Sequence, residues 1–231
     1  MGGDKKPTIR LSRSIVGKAE ADAVASVIID GGYLGMGREV RAFEAEIAAY
    51  LGVPPERICC VNSGTAALHL AAQALLKPGD EVLVQSLTFV ATFQAISAAG
   101  GRPVACEVLP GSATIDLADA EKKLTAKTRA IMPVHYAGYT GDLDAVYAFA
   151  KRRGLRVIED AAHAFGGDYK GKKIGSFGDV ACFSFDGIKN FTSGEGGAIV
   201  TMDQAVLSAA GDARLLGVEK DTENRFKGAR S

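Results

Sequence analysis

One lysine, Lys189, stands in a segment whose composition suits covalent chemistry. The segment runs from Phe183 to Thr201, FSFDGIKNFTSGEGGAIVT, and places Lys189 between an apolar run and a glycine-rich turn that leads into a second apolar run. A lysine amine is protonated and unreactive at neutral pH, because its reference pKa is about 10.4. In a partly desolvated pocket it can lose that proton and attack a carbonyl carbon, forming a Schiff base. The alternative is a solvated lysine in a loop between two strands, which is the commoner environment of a lysine.

A possible anion site follows the apolar run ICCV. The residues Asn62, Ser63, Gly64 and Thr65 come directly after this run and open a predicted helix. Their backbone amides and hydroxyls can hold an anion, since the helix dipole is positive at that end. A plain Ser/Thr cap of the helix is the alternative interpretation.

Further candidates follow other predicted strands. Glu159 and Asp160 end the run RVIED, and His163 comes three residues after Asp160. Either carboxylate could instead cap the next helix. Phe89 follows the run that ends at Ser86 and suits either the core or a stacking surface, and Ser184 lies five residues before Lys189.

The elements that must position these residues alternate along the chain. We expect helices over residues 14–30, 39–51, 65–76, 92–99, 117–124, 143–153 and 204–216, and strands over 58–62, 81–86, 103–108, 130–135, 156–160, 180–185 and 198–201. The glycine-rich residues 31–37 are predicted to form a flexible loop. Strands separated by helices predict an α/β fold with a mostly parallel sheet and helices on both faces. The last two strands are joined by a short turn, which predicts at least one antiparallel strand. In such a sheet, functional groups collect beyond the carboxyl ends of the strands.

Composition excludes several classes of function. Lys plus Arg and Asp plus Glu each total 27, so no net field attracts nucleic acid or anionic lipid. The N-terminus has no apolar h-region, and no run of about 18 apolar residues follows. We therefore expect a soluble, cytoplasmic chain with no nucleic-acid or membrane partner.

The four cysteines show no CxxC pair and no histidine at metal-like spacing, and we expect structural thiols, not a redox or metal site.

One cofactor accounts for the whole set of candidates. A lysine, a phosphate cradle at a helix N-terminus, a strand-end aspartate and an aromatic ring face are what pyridoxal 5'-phosphate (PLP) needs. The lysine holds the aldehyde, and the helix holds the phosphate. The carboxylate keeps the pyridine nitrogen protonated, which makes the ring an electron sink.

The chain resembles the DegT/DnrJ/EryC1/StrS family of sugar aminotransferases, which are PLP enzymes of fold type I. The strings that carry the resemblance are NSGTAALHLAAQAL, PGDEVLVQSLTFVATFQAI, PVHYAG, VIEDAAHAFGG and FSFDGIKNFTSGEGGAIVT, with GREVRAFEAEIAAYLGV upstream. The match runs in register from about Tyr33 to about Val218. It implies a three-layer α/β/α large domain over residues 32–218, after an N-terminal helical segment over residues 1–31. It also implies that residues 219–231 begin a connection to a small C-terminal domain that is missing here.

The resemblance also implies roles for individual residues. Lys189 would be the Schiff-base lysine and would carry the proton between the donor carbon and the cofactor. Asp160 would pair with the pyridine nitrogen, His163 would sit near the ring hydroxyl, and Phe89 would stack on the ring. The phosphate would be contacted by Gly64, Thr65, Ala66 and Ser184.

The reaction implied is the transfer of an amino group from an amino acid, glutamate or glutamine, to a nucleotide-linked keto sugar. Such reactions serve cell-surface polysaccharide or secondary-metabolite sugar biosynthesis. The family implies a homodimer with shared active sites, in which the loop 31–37 lies near the partner's site.

The alternative is a truncated PLP-binding domain that acts as a non-catalytic or complementing subunit. A Ser-Lys hydrolase is disfavoured because Ser184 and Lys189 lack SxxK spacing and no GxSxG elbow occurs, and no fingerprint for NAD is present.

Overall fold

The structure is a computed structural model that describes Ser12, residues 14–31 and residues 34–215. Within these residues the strands are β1 (Ile58–Val61), β2 (Glu81–Gln85), β3 (Arg102–Cys106), β4 (Thr128–Met132), β5 (Arg156–Asp160), β6 (Asp168–Tyr169), β7 (Lys172–Lys173), β8 (Val180–Ser184) and β9 (Gly197–Thr201). Seven of them form one sheet in the order β1-β9-β8-β5-β4-β2-β3, and β6 pairs with β7 in a separate hairpin.

The strand directions confirm the predicted mixture. Strand β9 is antiparallel to both of its neighbours, β1 and β8. The pairs β8–β5, β5–β4, β4–β2 and β2–β3 are all parallel. The loop over residues 185–196 therefore reverses the chain once, and the remaining strands of this sheet point their carboxyl ends to the same edge.

Helices cover both faces of this sheet. Their bounds are α1 (Lys18–Ser26), α2 (Arg38–Leu51), α3 (Gly64–Leu75), α4 (Val90–Ala98), α5 (Leu117–Lys122), α6 (Leu143–Arg153) and α7 (Gln204–Arg214). On one face α3, α4 and α7 bury residues such as Leu68, Ile96 and Val206 against the strands. On the other face α2, α5 and α6 do the same with residues such as Leu51 and Phe149. The predicted three-layer α/β/α fold is confirmed.

Local sequence explains where the helices of the described residues begin and end. The side chains of Ser63, Asp116, Asp142 and Asp203 cap α3, α5, α6 and α7 by accepting hydrogen bonds from backbone N–H groups of the first turn. Helix α6 ends at Gly154, which takes the left-handed conformation at φ 66° after a basic last turn.

Several element boundaries differ from the predictions. The first helix begins at Lys18, not at residue 14, and continues after Ser26 as a π-helical turn, Val27–Gly31, with no buried residue in either piece. Strand β4 ends at Met132, because Pro133 has no N–H to donate. The hairpin β6–β7 was not predicted, since two-residue strands carry no periodic signal.

Some predictions fall outside the described residues. They concern Gly32 and Tyr33 of the glycine-rich loop, the end of the last helix at Leu216, and residues 219–231. Within the described residues, no helix has both the length and the apolar character needed to cross a membrane.

The four cysteines are buried free thiols, as expected for structural cysteines. Burial raises the pKa of Cys60 to about 12, with the nearby Glu44 carboxylate adding to the effect. Burial likewise raises the pKa of Cys106 to about 11. A thiol with so high a pKa is a poor nucleophile and a poor metal ligand.

Candidate functional site

A pocket of about 520 Å³ opens at the carboxyl ends of β1, β2, β4, β5 and β8. It is lined by seven of the eight residues that the sequence singled out: Gly64, Thr65, Phe89, Asp160, His163, Ser184 and Lys189. These residues come from four separate segments, and the parallel arrangement of the strands brings them to one edge of the sheet. The eighth, Ala66, does not line the pocket.

The N-terminus of α3 forms one wall of this pocket. Ser63 caps the helix, and its Oγ accepts a hydrogen bond from the Ala66 N–H at 3.1 Å. Among the described residues, the N–H groups of Gly64 and Thr65 have no hydrogen-bond acceptor. The cap and the anion site are therefore compatible, because capping uses the Ala66 amide and leaves two amides at the positive end of the helix dipole.

Close packing at this wall requires two glycines. A Cβ added at Gly64 would stand 2.7 Å from the Ser184 Cβ, and a Cβ added at Gly197 would stand 2.3 Å from the Ser63 carbonyl oxygen. The absence of these side chains lets the helix N-terminus approach the ends of β8 and β9. The Ser184 hydroxyl thereby lies next to the exposed amides of α3.

The Asp160 carboxylate lines the pocket and is held by two hydrogen-bond donors. It is 4% exposed, and its Oδ2 accepts a hydrogen bond from the Thr92 hydroxyl at 2.7 Å. Its Oδ1 accepts from the Ala162 N–H at 3.2 Å. The Thr88 and Thr92 oxygens are 2.6 Å apart, and Thr88 must be the donor there because the single Thr92 proton is used on Asp160. The carboxylate is thus fixed in orientation and also stabilises the turn that follows β5.

Lys189 lies on the loop between β8 and β9, and backbone contacts shape this loop. The Asp186 side chain accepts a hydrogen bond from the Ile188 N–H at 3.0 Å, and the Asp186 carbonyl accepts from the Lys189 N–H at 3.0 Å. On the far side, the Asn190 side chain donates to the Phe165 carbonyl at 2.6 Å. The Lys189 amine is therefore carried on an anchored turn at the edge of the pocket.

Phe89 lies at the mouth of the pocket and is 71% exposed. This excludes the core alternative and leaves one ring face available for stacking. Two other exposed apolar side chains, Tyr136 and Ile188, also line this pocket. An apolar surface of this kind is typical of a contact with another protein surface.

His163 is oriented by the loop that follows β4. Its Nδ1 accepts a hydrogen bond from the Ala137 N–H at 3.3 Å, and its ring meets the Tyr136 ring edge-on, with 6.2 Å between centroids. Its pKa is lowered, chiefly because burial removes water from the ring and also because the charge of Lys189 disfavours protonation. The Asp160 carboxylate opposes this shift.

Glu159 lies on the other face of the sheet from Asp160. It is fully buried beneath the strand ends and pairs with His135 Nε2 at 2.7 Å. Its second oxygen accepts a hydrogen bond from the Tyr147 hydroxyl. Burial, followed by the Glu159 charge, raises the pKa of that hydroxyl. Of the two carboxylates that the sequence placed at this strand end, Asp160 alone faces the pocket.

Sequence analysis missed several residues that line the pocket or hold its groups. They are Thr88, Thr92, Tyr136, Asp186 and Glu195. Thr88 and Thr92 lie four residues apart around Phe89, a spacing that could have marked a shared helical face. The hydrogen bond from Thr92 to Asp160 joins residues 68 positions apart, and no local pattern predicts such a pair.

The residues of the pocket fit PLP. The amine of Lys189, the carboxylate of Asp160, an exposed aromatic ring and two unpartnered amides at a helix N-terminus occupy one cavity. A side chain at Gly64 would fill the cradle beside Ser184. This donor set matches an aldehyde, a ring nitrogen, a ring face and a phosphate.

Comparison with known proteins gives one consistent result. The model of the DegT/DnrJ/EryC1/StrS aminotransferase family matches residues 15–230. A dTDP-4-dehydro-2,3,6-trideoxy-D-glucose 4-aminotransferase from Saccharopolyspora spinosa is 40% identical over 213 residues, covering 92% of this chain and 55% of the relative. GDP-perosamine synthase from Caulobacter vibrioides is 45% identical over 193 residues, covering 83% of this chain and 51% of the relative.

A solved structure shows the same fold. The crystal structure of DesV from S. venezuelae, in complex with a ketimine intermediate, superposes with a TM-score of 0.83 at 41% identity. The superposition covers 89% of this chain and 55% of that one. The chain thus spans about half the length of the relatives it matches.

Proposed function

This chain belongs to the DegT/DnrJ/EryC1/StrS aminotransferase family, and from this premise we propose that it is the PLP-binding large domain of a nucleotide-sugar aminotransferase. The enzyme takes an amino group from an amino acid, glutamate or glutamine, and delivers it to a keto group on a nucleotide-linked sugar. The observation that carries the proposal is the meeting of Lys189, Asp160 and the α3 N-terminus in one pocket. Related proteins are named for dTDP-linked and GDP-linked sugars, which supports this substrate class. The product serves polysaccharide or secondary-metabolite sugar biosynthesis.

The phosphate binds at the N-terminus of α3. The N–H groups of Gly64 and Thr65 and the hydroxyl of Ser184 donate hydrogen bonds to it, and the helix dipole favours its negative charge. Ala66 contributes through the helix turn that it closes with Ser63. The close approach at Gly64 supports this assignment, since a Cβ there would stand 2.7 Å from the Ser184 Cβ and would separate the helix N-terminus from the Ser184 hydroxyl.

Asp160 would pair with the pyridine nitrogen and would keep it protonated through charge pairing. Its orientation is set before the ligand arrives, because Thr92 and the Ala162 amide already hold both oxygens. When bound, PLP with a protonated ring nitrogen withdraws electrons from the bonds around the donor α carbon. Phe89 covers one face of the ring and excludes water from it.

Lys189 would hold the cofactor through Nζ, and its amine would serve to move a proton at the reacting carbon. Both roles need an amine that reaches the centre of the pocket from an anchored segment. The turn over residues 186–190 supplies that anchor through the Asp186 and Asn190 contacts.

The active enzyme is a homodimer with shared sites. The exposed apolar side chains that line the pocket, Phe89, Tyr136 and Ile188, support a protein contact at this place. Light scattering on the purified chain tests the dimer.

The proposed site is tested by labelling. The chain is mixed with PLP, its visible absorbance is recorded, and borohydride is added before peptide mapping. We expect a band near ~420 nm and a reduced pyridoxyl adduct on Lys189. Lys189→Ala should abolish both the band and the adduct while the circular dichroism spectrum stays that of a folded α/β protein.

A matched control separates the site from nonspecific labelling. Lys77→Ala removes an exposed lysine from the loop before β2, at the opposite end of the sheet, and should leave the band and the adduct unchanged. Lys189→Arg keeps the positive charge without a reactive amine and should behave like Lys189→Ala. An unchanged cofactor spectrum in the Lys189 variants would refute the assignment of the lysine.

Amino transfer is tested in two half-reactions. Glutamate or glutamine added to the PLP-loaded protein should release the corresponding 2-oxo acid, up to one equivalent per chain. Keto derivatives of dTDP-linked and GDP-linked hexoses are then added, and the amino sugar is sought by mass spectrometry. A protein that binds PLP but gives neither product would be a non-catalytic or complementing subunit.

A further inference from the structure

The backbone loop that follows β4 contacts His163 in an uncommon way. The N–H of Ala137 points at His163 Nδ1, at 3.3 Å. Ala137 has φ 54°, in the left-handed region that residues other than glycine seldom adopt. A strained conformation persists where the surrounding structure imposes it, and here the strain directs one backbone donor toward the ring.

The loop is held by contacts on both sides of Ala137. His135 donates its N–H to the Asp160 carbonyl at 3.0 Å, and Gly138 donates to the His135 carbonyl at 2.9 Å. The His135 ring is anchored below the sheet by Glu159 at 2.7 Å. A Cβ at Gly138 would stand 3.2 Å from the His163 carbonyl oxygen, so the loop packs directly on the histidine. The Ala137 donor is therefore fixed relative to the ring.

A fixed N–H donor decides the proton distribution of the imidazole. Neutral histidine has one nitrogen that donates and one that accepts. Since Nδ1 accepts from Ala137, the proton must lie on Nε2. A doubly protonated ring would place two donors against each other at Nδ1, so the contact also disfavours the charged form.

The charged groups around the ring act in opposite directions, one cation against carboxylates. Lys189 disfavours a second positive charge, Asp160 favours it, and Asp186 and Glu195 line the same pocket. Burial is the largest cause of the lowered pKa of His163. Burial and the Ala137 N–H contact thus both disfavour the charged ring.

We propose that the loop over residues 135–138 locks His163 in the neutral Nε2–H tautomer, so that His163 donates a hydrogen bond to an oxygen of the bound ligand and does not accept a proton from it. Ala137 is the positioning residue of this arrangement. The identity of the ligand rests on the proposed function: for PLP, the oxygen is that of the ring hydroxyl. The tautomer itself does not depend on the ligand.

The tautomer is measured by nitrogen NMR on the chain without added PLP. The protein contains three histidines, so His69→Gln and His163→Gln assign the ¹⁵N-labelled imidazole signals by difference. At pH 7 we expect the His163 Nδ1 at the shift of an unprotonated nitrogen and Nε2 at that of a protonated one. Ala137→Gly keeps the N–H and accepts a positive φ freely, and should leave this pattern unchanged. An Nδ1–H tautomer or a doubly protonated ring would overturn the proposal.

The donor role is measured by PLP affinity in two variants. His163→Gln places an amide N–H near the position of Nε2 and should bind PLP within about threefold of the wild type. His163→Asn can still accept from Ala137 but lacks the far donor, and should lose about 10- to 100-fold in affinity, as expected for a hydrogen bond to a charged group. Equal loss in both variants, or none in His163→Asn, would refute the donor role. If the wild type fails to bind PLP, the proposed function fails, while the NMR result still decides the tautomer.

Discussion

The hydrogen bond from Thr92 to Asp160 is predicted to stabilise both the fold and the site. Thr92→Val replaces the hydroxyl by a methyl group of similar size at a position that is 0% exposed. The substitution leaves one oxygen of a carboxylate that is only 4% exposed without its donor at 2.7 Å. Hydrogen bonds to charged groups contribute about 1.5–3 kcal/mol, so we expect the free energy of unfolding to fall by about that amount.

The assay is urea unfolding followed by circular dichroism, together with thermal unfolding. For a domain of this size, 1 kcal/mol shifts the melting temperature by about 2–4 °C, so the midpoint should drop by about 3–12 °C. If PLP binds as proposed, its affinity should fall as well, because the Asp160 carboxylate loses a hydrogen bond that fixes its orientation. In an Asp160→Asn background the same substitution should cost only about 0.5–1.5 kcal/mol, since the lost bond then joins neutral groups.

Ser97→Ala is the matched control on the same helix. Its exposed hydroxyl donates to the Phe93 carbonyl at 3.2 Å, and its removal should change stability by less than about 0.5 kcal/mol. A Thr92→Val protein as stable as this control, with unchanged affinity for PLP, would show that the hydroxyl does not support Asp160.

Three further predictions concern packing, charge and reactivity. Gly64→Ala should destabilise the fold by about 1–3 kcal/mol and weaken PLP binding, because its Cβ would stand 2.7 Å from the Ser184 Cβ; calorimetry and a PLP titration measure both. A hydrogen bond from Lys123 lowers the pKa of Asp119 below 3.8 in the folded protein. The pair therefore stabilises the fold fully above pH 3.8, and this stabilisation is lost as the pH falls through the lowered pKa. The melting temperature of Asp119→Asn should therefore lie below that of the wild type at pH 7 and converge with it below pH 3.8. Burial raises the pKa of Cys60 to about 12, so iodoacetamide at pH 8 should label no cysteine of the native chain and all four after denaturation, as counted by mass.

Opposite results would contradict each of these three. A Gly64→Ala protein with wild-type stability and affinity would mean that the helix N-terminus can move away from β8. A pH-independent difference for Asp119→Asn would assign its effect to the cap geometry of that region and not to charge. Labelling of a native thiol would show that the strand carrying it opens readily.

Local sequence predicted the elements of the fold well. Each of the seven strands of the large sheet was found within two or three residues of its predicted position, because apolar runs bounded by glycine, proline and caps are local signals. Helix α6 was predicted with its observed bounds, since Asp142 begins it and Gly154 ends it. The predicted start of the first helix was less accurate. Its apolar face is exposed in this chain, so no packing fixes where the helix begins.

The sequence by itself also determined which residue types could serve a site. Lys189, Asp160, Phe89 and the start of α3 each follow a predicted strand, and the rule that parallel strands end at one edge was enough to expect them together. Only the tertiary structure decided which neighbour faces the pocket. Adjacent residues of a strand point to opposite faces, so Asp160 lies with α4 and Glu159 lies with α6, but the alternation alone does not say which is which.

The partners of these groups were likewise decided by the tertiary structure. Thr92 reaches Asp160 across 68 residues, and Ala137 reaches His163 across 26. The order of the strands, with β9 inserted between β1 and β8, sets the distance between α3 and Ser184. A hydrogen bond between distant segments depends on how the whole sheet is assembled. That assembly minimises the free energy of the entire core, and no short stretch of sequence encodes it.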